Sequence, residues 1–148
     1  MPEEREDEAR ATRARFPHFL GLQTRWMDND VYGHVNNVVY YAYFDTVINR
    51  YLVDAGLDIA KSPAIGLCVE SRCRYWRAVS FPDEVSAGLR VAHLGTSSVR
   101  YEIGIFAGGD EHAAAQGWFV HVFVDRENRR STPIPDGLRE ALQRIAAP

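Results

Sequence analysis

Long apolar runs are missing from this chain of 148 residues. None approaches the ~20 residues that a bilayer-spanning helix needs, so no membrane-embedded helix is expected. The first stretch, Met1 to Arg15, is charged throughout and has no apolar segment, which argues against a signal peptide. An excess of positive charge is missing too. A net charge of −3 gives no reason to expect nucleic acid or an anionic membrane as the main partner. Cysteine is scarce, with only Cys68 and Cys73. Five residues apart in an extended strand, they would point to opposite faces, too far apart to bridge. Two reduced, buried thiols in a cytoplasmic protein are therefore expected. The histidines, His18, His34, His93, His112 and His121, are scattered, and no Cys/His spacing resembles a zinc site. Internal repeats and low-complexity segments are absent as well.

What the chain does have is an ordinary apolar fraction, 46%, enough for one domain with a modest core. Residues 1–16 read as a charged N-terminal tail, frayed or forming a short exposed helix, and residues 17–148 as a single domain. Residues 18–27 read as a first strand, followed by a loop over 28–35. Asn36 is a natural N-cap for the next element. Beyond it, Tyr40, Phe44, Val47 and Tyr51 fall on one helical face, with Tyr41, Ile48 and Leu52 beside them. Gly56 suits the position just past the helix end. Aromatic and β-branched residues are middling helix formers, so burial under a sheet must hold this segment helical.

The remaining chain supplies that sheet. Residues 65–77 form one strand candidate. Val85, Ala87, Leu89 and Val91 alternate with small or polar neighbours, and Val99, Tyr101, Ile103 and Ile105 alternate with Arg100, Glu102 and Gly104. Residues 114–125 are apolar on both faces and are expected to be the central, doubly covered strand. Pro135 opens a terminal helix with Leu138, Leu142 and Ile145 on one face. Short connections between the strands imply an antiparallel meander.

The chemistry concentrates in Arg25-Trp26-Met27-Asp28-Asn29-Asp30-Val31-Tyr32-Gly33-His34-Val35-Asn36-Asn37, directly before the long helix. A carboxylate held by a tight turn near a helix N-terminus can take a proton or attack an electrophile. The unpaired N–H groups of the helix can meet a developing negative charge. Asp30 is the candidate for that carboxylate. Asp28 alternates with it along the chain and is read as a structural turn or salt-bridge residue. His34 is an acid/base candidate or a loop-fixing hydrogen-bonder. Asn36 and Asn37 cap the helix, and backbone N–H groups there could polarise a carbonyl. Asp45, at the edge of the helix's apolar face, reads as a carboxylate supporting the site from behind or as an ion-pair partner, with the ion pair favoured. Arg72, Arg74, Arg77, Arg126, Arg129 and Arg130 are candidates for phosphate contacts, a task that suits the guanidinium fork.

The segment Asp28-x-Asp30-x-x-Gly33-His34-Val35-Asn36-Asn37, followed by Tyr40 and Phe44-Asp45, resembles the hotdog-fold acyl-CoA thioesterases, in particular the 4-hydroxybenzoyl-CoA thioesterase family. Cys73-Arg74-Tyr75-Trp76-Arg77, Pro82-Asp83-Glu84-Val85, Val124-Asp125-Arg126 and Pro133-Ile134-Pro135 extend the likeness over roughly residues 18–145. The resemblance implies an α+β hotdog fold, a long central helix wrapped by a curved antiparallel sheet, here with a C-terminal helix added. It also implies a homodimer or a dimer of dimers with the active site between subunits. The ligand would be an acyl-CoA thioester as substrate, with no separate cofactor and no metal. On that likeness the candidate catalytic residues are Asp30, as general base or nucleophile, with His34 and Asn37. The candidate substrate-binding residues are Asn36, Tyr40, Arg72, Arg74, Arg77, Arg129 and Arg130. Asn37 stands where one branch of the family has His, and Trp26 where it often has Tyr. This places the chain with the Gly-His-Val-Asn-Asn branch, which tends towards aliphatic acyl groups. The rival readings are a hotdog dehydratase and an acyl-CoA or acyl-carrier binding module without turnover.

Overall fold

The computed structural model describes residues 10–146. Five strands form one antiparallel sheet: β1 (His18–Gln23), β2 (Ala64–Tyr75), β3 (Glu84–Leu94), β4 (Ser98–Ala107) and β5 (Ala115–Asp125). Their spatial order is β1-β3-β4-β5-β2. Helix α1 (Asn37–Asp54) lies on the inner face, and α2 (Asp136–Arg144) packs near the end of β3, where Val91 bridges to Ala146. This is the hotdog arrangement expected above.

The core is the interface between α1 and the inner face. Phe44, Val47, Ile48 and Leu52 are fully covered, and so are Ala87, Leu89, Val99, Tyr101, Ile103 and Ile105. The period-two residues of β3 and β4 thus point at the helix, as their alternation predicts. The Asn36 side chain accepts from the Val38 N–H at 3.0 Å and closes the start of α1. At its end Gly56 takes φ +112°, and the Leu57 N–H returns to the Leu52 carbonyl at 3.0 Å.

Five expectations are corrected. The first strand ends at Gln23, because Thr24 is buried and turns to hydrogen-bond the Asp83 carbonyl, and a 3-10 turn, Trp26–Asp28, follows. The middle strand is β4, not β5, because the chain returns to pair β5 with β2 at the sheet edge. A bulge between Cys68 and Glu70 shifts the register of β2. Cys68 pairs with His121 and Cys73 with Gly117, so both thiols fall on the inner side, and Cys68 is exposed rather than buried. Asp45 has no ion-pair partner among the described residues, and partial burial raises its carboxyl above the usual range.

The fifth correction concerns the described part of the N-terminal segment, which does not fray. Residues 10–16 cross the outer face of the sheet. The Arg10 and Arg13 side chains donate to the carbonyls of Ala113, Asp110 and Gly108, and the Ala11 N–H donates to Gln116. Phe16 sits directly over Gly88 and Gly104, where an added Cβ would come within 2.7 Å of its ring. Two glycines side by side on neighbouring strands open the window this ring fills. Residues 1–9, the rest of the expected tail, lie outside the described residues.

Candidate active site at the helix N-terminus

The loop from Thr24 to Asn36 is stitched to the domain on two sides. On one side stands Asp28, 1% exposed. Its carboxylate accepts from the Tyr43 hydroxyl at 2.7 Å, from the Arg25 N–H at 2.9 Å, and from the Arg25 guanidinium at 3.0–3.1 Å. Burial pushes this carboxyl up, but the hydrogen bonds from Tyr43 and Arg25 outweigh it and hold it below the ordinary range. Burial, with the Asp28 carboxylate at its hydroxyl, drives Tyr43 the other way, well above the usual phenol value.

On the other side the segment 79–83 acts as a brace. The Val35 N–H donates to the Val79 carbonyl at 2.7 Å, the Ser80 hydroxyl to the Gly33 carbonyl at 2.8 Å, and the Phe81 N–H to the Asn29 side chain at 3.0 Å. Between these supports the chain reverses from Asp30 to Gly33. Gly33 adopts φ +83°, a conformation that costs other residues strain.

Asp30 sits at the start of this reversal, half-buried. Its Oδ1 accepts from the Tyr32 N–H at 2.9 Å, and its Oδ2 faces the Asn36 amide at 3.5 Å. No cation neutralises it among the described residues. Its carboxylate therefore stays aimed but only lightly engaged, unlike that of Asp28.

Next to it a recess of about 290 Å³ opens at the start of α1, lined by His34, Asn37, Tyr40, Tyr75, Trp76 and Arg77, among others. The Val38 and Val39 N–H groups are taken by Asn36. The Asn37 N–H has no acceptor among the described residues and is the open donor of the helix end. Tyr75 donates its hydroxyl to the Asn37 carbonyl at 3.2 Å and packs edge-on to Tyr40 at 5.1 Å. Burial raises both phenols, so they stay neutral donors at physiological pH.

Of the sequence candidates, the structure gathers His34, Asn37, Tyr40 and Arg77 at the recess, with Asp30 and Asn36 on the turn beside it. Arg77 is paired with Asp110 at 2.8 Å. Arg72 and Arg74 stand on the opposite, outer face of the sheet. Arg129 and Arg130 are not brought near within one chain. They follow Asp125, which pairs with Ala64 at the far end of β2, some ~36 Å from Tyr75 at the rise of an extended strand. Arg126 is spent on the carbonyls of Ser62 and Ile59. Among the described residues no group of His, Cys, Asp and Glu gathers that could hold a metal.

Residue-by-residue reading missed Tyr75, Trp76, Ser80 and Asn29. Tyr75 and Trp76 stood in view between arginines, and strand alternation alone would have separated Tyr75 from its neighbours' face. Ser80 and Asn29 carry no local signal, because their roles depend on a contact some fifty residues away in sequence.

The chain has relatives among known proteins. The PA5185 protein from Pseudomonas aeruginosa strain PAO1 is 51% identical, with TM-score 0.92, covering 93% of this chain and 97% of that one. A thioesterase from Thermus thermophilus, complexed with coenzyme A and zinc, is 31% identical, with TM-score 0.74, covering 88% and 95%. YsmA, an uncharacterised protein of Bacillus subtilis strain 168, is 24% identical over 128 residues, 86% of each chain. The family model of the thioesterase-like superfamily matches residues 24–142, from the start of the braced loop to the last turn of α2, and the chain belongs to that superfamily.

Proposed function

We propose that this protein hydrolyses an acyl-CoA thioester to a carboxylic acid and free CoA. The observation that carries the reading is that a lightly engaged carboxylate, Asp30, lies on the turn leading into α1, whose first N–H, that of Asn37, is open and lines a recess. Thioester hydrolysis needs those two parts. The N–H stabilises the oxyanion as the carbonyl becomes tetrahedral, aided by the helix dipole. The carboxylate either takes a proton from the attacking water or attacks the carbonyl itself, forming an anhydride that water then opens. In both routes the C–S bond breaks, the thiolate of CoA leaves and is protonated, and the acid retains one oxygen from water. The superfamily membership and the 31% identical thioesterase bound to coenzyme A favour CoA as the thiol.

Tyr40, Tyr75 and Trp76 wall the recess, and Arg77, which also lines it, would exchange Asp110 for the anionic carrier. The working unit is a homodimer or a dimer of dimers formed through β2. With Asn37 and Trp26 at the two branch-marking positions, aliphatic acyl groups are favoured over aromatic ones.

The test is thiol release from a panel of aliphatic and aromatic acyl-CoAs. Turnover of at least one aliphatic member is expected, and its loss in Asp30→Asn. Tight acyl-CoA binding with no thiol release from any member would favour the non-catalytic binding module instead.

A further inference from the structure

The connection 108–114 between β4 and β5 is gripped from two sides. On one side run residues 10–13. The Arg13 guanidinium donates to the Gly108 carbonyl at 2.8 Å and to the Asp110 carbonyl at 2.7 Å, and the Arg13 N–H to the Glu111 carbonyl at 3.1 Å. Arg10 donates to the Ala113 carbonyl at 2.8 and 3.1 Å, and the Ala113 N–H returns to the Ala11 carbonyl at 2.9 Å. The carbonyls of Gly108, Asp110, Glu111 and Ala113 thus all accept from one crossing segment. The planar fork of Arg13 suits two carbonyls at once, and it lies 5.0 Å over the Phe106 ring.

On the other side the same connection carries part of the recess wall. The Ala114 carbonyl accepts from the Trp76 N–H at 2.8 Å and from the Arg77 N–H at 3.1 Å. The Asp110 carboxylate meets the Arg77 guanidinium at 2.8 Å. Trp76 and Arg77 line the recess, just past the end of β2 at Tyr75. Their backbone N–H groups therefore depend on this connection and not on the strand ladder. Ala113 and Ala114 are fully covered, so a shift on the strap side passes through close-packed backbone to the wall. The motif loop that carries Asp30 has a different support, the brace 79–83.

We propose that Arg13 is a positioning residue of the recess. Acting through the connection 108–114, it holds Trp76 and Arg77 where a ligand meets them, without itself lining the recess. The role in turnover rests on the hydrolase reading; the hold on the wall does not.

Hydrogen exchange and kinetics on the full chain test it. Arg13→Ala should speed exchange of the Trp76 and Arg77 amides about tenfold, the scale of one charged hydrogen bond, and leave the core amides of β3 and β4 unchanged. KM for an acyl-CoA should rise several-fold with kcat nearly unchanged, because Asp30 keeps its own brace. Arg13→Lys keeps the charge but not the fork and should fall between the two; it is read in the same way if Arg13→Ala does not fold. Unchanged exchange at Trp76 and Arg77 would overturn the assignment. So would equal acceleration across β3 and β4, the mark of a general loss of stability, and so would a KM that does not rise in an enzyme that turns over. If no acyl-CoA is turned over but exchange at Trp76 and Arg77 alone still rises, the hydrolase reading falls and the hold on the wall stands.

Discussion

Asp28 and Asp30 are separated by one residue and live in opposite environments. Asp28 is buried under four hydrogen-bond contacts from Tyr43 and Arg25, while Asp30 meets one backbone N–H and a distant amide. Asp30→Asn keeps size and removes basicity. Its kcat should fall by at least about 10²–10⁴-fold, the range of general-base catalysis, in a folded protein whose KM is little changed. Asp28→Asn should instead cost stability, about 2–4 kcal/mol in urea unfolding, because it breaks a buried charged network. A larger loss of kcat at Asp28 than at Asp30 in folded protein would show the roles reversed.

His121 is the other residue with a testable charge. It is buried among Tyr101, Phe119 and Phe123, with Nδ1 3.2 Å from the Tyr101 hydroxyl, and burial pushes it down to about 4. The unfolded chain, with an ordinary imidazole near 6.5, binds this proton first as the pH falls. Stability is therefore full above about 6.5 and lost between there and about 4, on the order of 3 kcal/mol by linkage. Burial also lowers His18, which adds to the slope in the same direction. Asp28, held low, keeps its contribution until the pH falls below the ordinary carboxylate range. Unfolding free energies of wild type and His121→Gln from about pH 7 to 4 check this. The variant should show a flatter profile, and an unchanged slope would refute the assignment.

At the scale of elements, α1 is a helix by burial. Its aromatic and β-branched residues have little helical preference of their own, and six of its side chains disappear into the core. Under the proposed function its N-terminus is also the working end, and the cap would then have two tasks. Asn36→Ala should cost about 1 kcal/mol of stability by chemical denaturation. It should also lower kcat, because the same side chain faces Asp30 at 3.5 Å. Loss of stability with unchanged kcat would leave Asn36 as a cap alone. The strands β3 and β4 were legible because one face meets the helix and the period of two survives in the sequence. The bulge in β2 was not, since one extra residue leaves no mark in composition and yet exchanges the faces of everything after it.

At the scale of the molecule, β2 is a twelve-residue edge strand without a neighbour on its outer side among the described residues. It exposes Leu67, Val69 and Tyr75, and the motif loop exposes Trp26, Met27, Val31 and Tyr32. A long edge with apolar residues beside it invites pairing with another chain. Light scattering at micromolar concentration should give a multiple of the 16.8 kDa chain mass. Val69→Glu, at a position 60% exposed in the single chain, should shift the protein towards monomer and lower turnover with it. A wild-type monomer that hydrolyses acyl-CoA would overturn the assembly.

The sequence by itself determined the order of elements, the helix limits set by Asn36 and Gly56, and the inner-face residues of β3 and β4, and it marked the candidate site before the helix. Each of these is written in short-range patterns: a cap, a period, a turn glycine, a motif. Only the tertiary structure decided which of two neighbouring aspartates is neutralised, that β4 rather than β5 lies in the middle, and that Arg72 and Arg74 leave the recess for the opposite face. It also decided that Ser80 and Asn29 brace the loop and that residues 10–16 lie across the sheet. Those outcomes rest on contacts between segments far apart in sequence, and on strand order and register, which a linear pattern does not encode.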